Sequence, residues 1–201
     1  MKLLFTITLF STIVLFSCRQ AEDKTKLFIL DSSLQDTTKS LVQFISGRHF
    51  YEFKTPIEVR FFSNDRLEDS IIQSDFAMIS WYSNNKDTID LVAHVGEFET
   101  SSLLIRFINS KPQVFHYRAP HEGQNYFRLN KSDTFTNQVE VPPTRYKLSL
   151  SQIPDTINRP VVFGQIDMES SSYYDKRDTL QQKHSIKMKF NFRSQYRKFD
   201  Y

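Results

Sequence analysis

Ile186, Met188, Phe190 and Phe192 alternate with Lys187, Lys189, Asn191 and Arg193 over eight consecutive residues. Strict alternation of this kind marks a half-buried antiparallel strand, apolar toward a core and polar toward water. The same period of two recurs along the chain. Ile57, Val59 and Phe61 flank Glu58 and Arg60. Ile89, Leu91, Ala93 and Val95 flank Asp90, Val92 and His94. Leu103, Ile105 and Phe107 form a further set, and Tyr146, Leu148 and Leu150 alternate with Arg145, Lys147 and Ser149. Segments 74–82, 113–118, 125–129, 135–141 and 160–168 add more, giving about ten strands at regular spacing. The run Leu27–Leu30 reads as a first strand before them.

Turn chemistry falls between these runs: Ser63-Asn64-Asp65, Asn84-Asn85-Lys86-Asp87, Asn109-Ser110-Lys111-Pro112, Pro142-Pro143 and Ile153-Pro154-Asp155. The 19 phenylalanines suit half-buried pleated surface. No strand–helix–strand alternation argues for a parallel sheet. The pattern therefore predicts an all-β fold, an antiparallel β-sandwich of jelly-roll or immunoglobulin-like type, with a calycin-like barrel as the alternative. One short helix is expected over residues 33–46. Leu34, Leu41 and Ile45 recur at helical spacing there, Ser32 with Gln35 suits a capping box, and Gly47 suits a stop.

The N-terminus has a different character. Lys2 precedes an uncharged, mostly apolar run of 14 residues, Leu3–Phe16, followed by Ser17 and Cys18. That is the order of a secretory leader, and the run is shorter than the ~20 residues a spanning helix needs. Leu15-Phe16-Ser17-Cys18 resembles the lipobox of bacterial lipoproteins, and Cys18 is the only cysteine of the chain. The resemblance implies that the Cys18 thiol receives diacylglycerol and that residues 1–17 are removed. Phe16 is bulkier than that position usually holds. Gln20-Ala21-Glu22-Asp23 is similar to the short surface-export signal of Bacteroidota lipoproteins. It implies display on the outer face of the outer membrane. An acidic flexible tether would look similar. Residues 18–26 are then the lipidated cysteine and tether, and 27–201 one β-rich domain. With no second cysteine there is no disulfide, so an exported domain here depends on its core alone.

Charge excludes one class of partner. A formal charge of +3 over 201 residues is too mild for nucleic acid. The main catalytic signatures are missing too: no Gly-x-Ser-x-Gly, no His-Glu-x-x-His, and only four glycines for any phosphate-cradling loop. His116, His121 and Glu122 lie within seven residues, with His94 as the one recruit from a neighbouring strand, but no ligand-spaced pair supports a metal site. Glu97 and Glu99 sit two apart on one strand face, close to the spacing of a hydrolytic carboxylate pair, yet near a strand end where solvated acids are ordinary. No catalytic residue, metal ligand or cofactor is assigned.

Candidate ligand-binding residues are Trp81, Tyr82 and Asn84, because an indole or phenol beside an amide can stack on a sugar ring and bond its hydroxyls. The competing reading makes Trp81 a core anchor. Lys183, Lys187, Lys189, Arg193, Arg197 and Lys198 crowd the C-terminus. They suit either attraction to anionic glycan or headgroups, or an edge strand whose lysines discourage pairing. Finally, Thr37, Ser70, Thr88, Thr156 and Thr179 each follow an aspartate and precede an apolar residue or threonine. This resembles the O-glycosylation motif of exported Bacteroidota proteins, although Asp-Thr before an apolar residue is also how a turn hands over to a strand. The functional expectation is a lipid-anchored envelope protein that binds or assembles without catalysis. A carbohydrate-binding accessory lipoprotein of a glycan-uptake system is the alternative.

Overall fold

The computed structural model describes residues 25–34, 38–43, 49–53, 57–72, 77–85, 88–95, 100–119, 126–176 and 181–196. In chain order the strands are β1 (Lys26–Leu30), β2 (Thr38–Gln43), β3 (His49–Phe53), β4 (Glu58–Ser63), β5 (Arg66–Ile72), β6 (Ala77–Asn85), β7 (Thr88–Val95) and β8 (Thr100–Ile108). They continue as β9 (Lys111–Ala119), β10 (Phe127–Arg128), β11 (Val139–Val141), β12 (Pro143–Leu150), β13 (Val162–Ser170), β14 (Tyr173–Asp175) and β15 (Gln182–Tyr196). No helix occurs among the described residues.

Two sheets pack face to face as a sandwich, and they do not close into a barrel. One sheet runs β1-β12-β13-β15-β4-β5, with β14 and β10 continuing beside the start of β15. The other runs β6-β7-β8-β9-β11, with β3 and β2 attached to β6. The 15-residue β15 belongs to both, because Gln195 and Tyr196 at its end pair with Ser80 and Trp81 of β6. That pairing and β1 with β12 are parallel; the other ladders are antiparallel.

The alternation that defines the strands also defines the core. Ile186, Met188, Phe190 and Phe192 of β15 are buried, and Lys187 and Lys189 between them are exposed. They meet Leu148, Leu150, Val162, Ile166 and Met168 of their own sheet and Leu91, Ala93, Leu103 and Ile105 of the facing sheet in one cluster. Gly164 is required there: a Cβ on it would lie 2.2 Å from Cζ of the Phe192 ring. A two-residue hairpin turn of type I′ needs positive φ at both central positions. Asn64 and Asp65 supply it between β4 and β5, and Asn109 and Ser110 between β8 and β9.

Three expectations are corrected. The described part of 33–46 holds no helix: Thr38–Gln43 is a strand, with Leu41 opposite Tyr51 and Val42 opposite Phe50. A helix this short gains little by itself, whereas β-branched Thr38 and Val42 beside an aromatic strand gain a ladder. Ahead of it, Asp31 rather than Ser32 organises the turn, its carboxylate accepting from Ser33 N and Oγ at 3.0 and 2.6 Å. The barrel alternative falls with the two open sheets. The basic C-terminal segment is not an edge strand either, since β15 is flanked by β13 and β4. Two of its lysines are held by carboxylates instead. Lys187 Nζ lies 2.7 Å from Glu169, and Lys183 Nζ lies 2.9 Å from Asp65. Lys26, the last residue of the expected tether, already belongs to β1.

Candidate functional site

The histidines do not converge. His116 on β9 opposes Leu103, and on the same face Ser101 Oγ lies 3.0 Å from its Nε2. His94 on β7 opposes Ser102, whose Oγ lies 2.6 Å from His94 Nδ1. Ser101 and Ser102 are neighbours on one strand, so they point to opposite faces and carry the two imidazoles apart. His121, Glu122, Glu97 and Glu99 lie outside the described residues. Among the described residues no group of three His, Cys, Asp or Glu is placed to hold a metal.

His116 is instead a buried ring at one end of the sandwich. It meets Tyr173 edge-on at 5.6 Å, and Tyr173 stacks on His184 at 5.5 Å. Phe127 also meets Tyr173 edge-on, and with Val139 and Val141 these residues form a second small core. Burial holds the His116 imidazole neutral, well below its ordinary value, and the cation of Arg118 adds to the effect. A depressed pKa in the fold means that the unfolded chain alone takes up the proton. Stability should therefore be full above about pH 6.5 and fall below it, at up to about 1.4 kcal/mol per pH unit for one proton. Urea unfolding of native protein and His116→Gln between pH 4.5 and 7 checks this, since the difference between them should shrink with acid. A difference independent of pH would show that His116 accepts its proton inside the fold.

The surface over this small core carries the most distinctive side-chain grouping. Arg128 of β10 lies 4.5 Å from the centroid of the Phe135 ring, and the Lys176 ammonium lies 4.5 Å from the same ring. Arg128 is also 5.7 Å, and Lys131 6.0 Å, from the ring of Tyr174 on β14. Lys131 and Lys176 are exposed. Three cations thus share two aromatic rings. Several other cations among the described residues lie within ion-pair distance of carboxylates: Arg60 of Glu58, Arg145 of Glu169 and Asp167, Lys183 of Asp65. No carboxylate lies within ion-pair distance of Arg128, Lys131 or Lys176 among the described residues. Asp133, two residues from Lys131, turns its carboxylate onto Asn130, and Asp175, next to Lys176, is buried opposite Phe127. Arg128 donates to Gln181 Oε1 at 2.6 Å and to the Asp133 carbonyl at 3.4 Å. The residues lie at 128, 131, 135, 174 and 176, with no local motif, and only the pairing of β10 with β14 brings the two stretches together.

Two ionic networks away from this group serve the fold. Arg106 of β8 grips Asp90 with Nε and Nη2 at 3.0 and 3.2 Å, and Nη1 reaches Glu140 at 2.9 Å. These bonds drive the Arg106 pKa upward. Glu169 accepts from Arg145 and Lys187, which hold its carboxyl down to about 2.

The remaining sequence candidates are dispersed. Trp81, Tyr82 and Asn84 lie on β6, and Trp81 is in register with Leu91; their side chains lie outside those described. Ser70 is exposed on the edge strand β5, and its N–H bonds to Asp69. Thr88 and Thr156 are half-buried. The Asp155 carboxylate accepts from the N–H of Ile157, so that motif also forms a turn. Cys18, Gln20, Ala21, Glu22, Asp23, Thr37 and Thr179 lie outside the described residues. No family model, curated protein or solved structure matches this chain.

Proposed function

We propose that this protein is a lipid-anchored component of the bacterial outer membrane, displayed at the cell surface, whose β-sandwich acts by binding or assembly rather than catalysis. The observation that carries the reading is the place of the sole cysteine. Cys18 follows a 14-residue uncharged run and Ser17, and the first strand among the described residues begins at Lys26, eight residues later. That spacing leaves a short tether between anchor and domain. Several acyl chains on one cysteine would hold the domain firmly, since each buried CH₂ contributes ~0.8 kcal/mol. The cation–aromatic group at Arg128, Lys131 and Lys176 supports a binding role.

Cys18→Ala should abolish uptake of labelled fatty acid and release the protein from the membrane fraction. Retention of the variant, with no label in the native protein, would sink the anchor. Glu22→Ala/Asp23→Ala separates surface display from anchoring. It should stay membrane-bound and keep its melting temperature, yet lose accessibility to protease in intact cells. Unchanged accessibility would leave the acids as a solvated tether.

A further inference from the structure

We propose that Arg128, Lys131, Phe135, Tyr174 and Lys176 form a contact site for anionic phospholipid headgroups, which seats the β14 end of the sandwich on the bilayer that holds the lipid anchor. This orientation rests on the anchor proposed at Cys18. Two independent features of the fold lead to it.

The first is where the chain enters the domain. Lys26 of β1 stands in register with Tyr146, which stands opposite Met168, which stands opposite Met188 of β15. β1 runs parallel to β12, so the chain preceding Lys26 leaves toward the start of β15. The site lies at that same end, because β14 pairs with His184, Lys183 and Gln182. Counted along β15, those residues are four to six positions beyond the row of Lys26, about 13–20 Å at the rise of a strand. Eight chain steps from Cys18 to Lys26 reach at most about 29 Å. A bilayer at Cys18 therefore faces this end. To reach it with the opposite end down, the tether would have to run back past the eight positions from Met188 to Tyr196, about 26 Å, and would have almost no length to spare.

The second feature is the chemistry found there. A headgroup layer presents phosphates above the acyl boundary, and aromatic side chains favour the same depth. The site offers cations without carboxylate partners among the described residues, next to two rings. The rings lie beside the cations, and Lys131 and Lys176 are exposed to solvent while Arg128 is half-buried beneath them. Burying an unpaired ammonium against protein would be costly, whereas a phosphate neutralises it. Lys147 and Lys189, exposed on the outer face of β12 and β15, lie on the flank of the sandwich and provide internal controls.

The full chain, expressed as a lipoprotein and purified in detergent, is reconstituted into vesicles of phosphatidylcholine alone or mixed equally with phosphatidylglycerol. Amine acetylation read by mass spectrometry then reports each lysine. Labelling of Lys131 and Lys176 should fall on the order of fivefold in the anionic vesicles. Lys147 and Lys189 should not change, and high salt should erase the difference. Equal labelling in both vesicles, in protein that floats with them, overturns the headgroup site and leaves the anchor standing. Protection by anionic vesicles of protein whose Cys18 peptide carries no acyl mass upholds the site and removes the anchor. Neither flotation nor protection overturns both. Protection by a soluble sulfated polysaccharide, and not by vesicles, overturns the proposal in favour of an acidic-glycan site.

Discussion

Phe192→Ala should destabilise the domain by about 3–5 kcal/mol, as expected for emptying a buried aromatic site. Phe192 is 1% exposed, and its ring covers Gly164 on the neighbouring strand. A gap left there has no side chain beneath it to move in, since Gly164 contributes none. Phe190 meets the ring edge-on at 6.1 Å and would lose that contact as well. The reverse change tests the same fit. Gly164→Ala places a methyl 2.2–2.7 Å from three ring carbons, so either the ring or the strand must shift. It should cost about 1–3 kcal/mol, as overpacking does. The two sites should couple strongly: Gly164→Ala should cost far less in a Phe192→Ala background. Urea unfolding of the four proteins measures this, and additive costs would show that the ring does not rest on the glycine.

The strands and their inward faces were legible because a period of two survives wherever one face is wet. Along β13 and over residues 186–194 of β15 alternation matches burial residue by residue. It fails where both faces are covered. Asp90, Val92, Ser102 and Leu104 are as buried as the Leu91, Ala93, Leu103 and Ile105 that alternate with them. A buried aspartate there reads as a solvent-side residue until its arginine is found on the next strand. Residues 38–43 misled for a different reason. Three apolar residues at helical spacing are a weak local signal, and pairing with an aromatic strand outweighs it. The cation–aromatic group was illegible for lack of sequence proximity: ordinary strand and loop residues, 46 positions apart at Arg128 and Tyr174, become neighbours only through the β10–β14 ladder. The C-terminal lysines, conspicuous in sequence, spend much of their charge on Glu169 and Asp65.

Arg106→Met should cost about 3–5 kcal/mol, because it strips a buried carboxylate of the cation that grips it. Asp90 has a side chain only 3% exposed and receives both Nε and Nη2 of Arg106. Methionine fills similar volume, so the loss would be electrostatic rather than a cavity. Arg106→Lys should fall between, keeping the charge but not the planar fork. Arg106→Met/Asp90→Leu should recover most of the loss, since an apolar pair can replace a buried ion pair without penalty. If the double variant is no better than Arg106→Met, the arginine acts by packing. The third contact makes the experiment informative about function. Nη1 of Arg106 reaches over β9 to Glu140 on β11, and Val139 and Val141 on either side of Glu140 lie in the small core beneath the cation–aromatic site. Glu140→Gln removes one exposed ionic bond and should cost at most about 1 kcal/mol globally. It should still speed amide exchange at Val139 and Val141 relative to β8. If the headgroup site depends on a rigid base, the same variant should weaken protection of Lys131 and Lys176 by anionic vesicles while leaving flotation through the anchor unchanged.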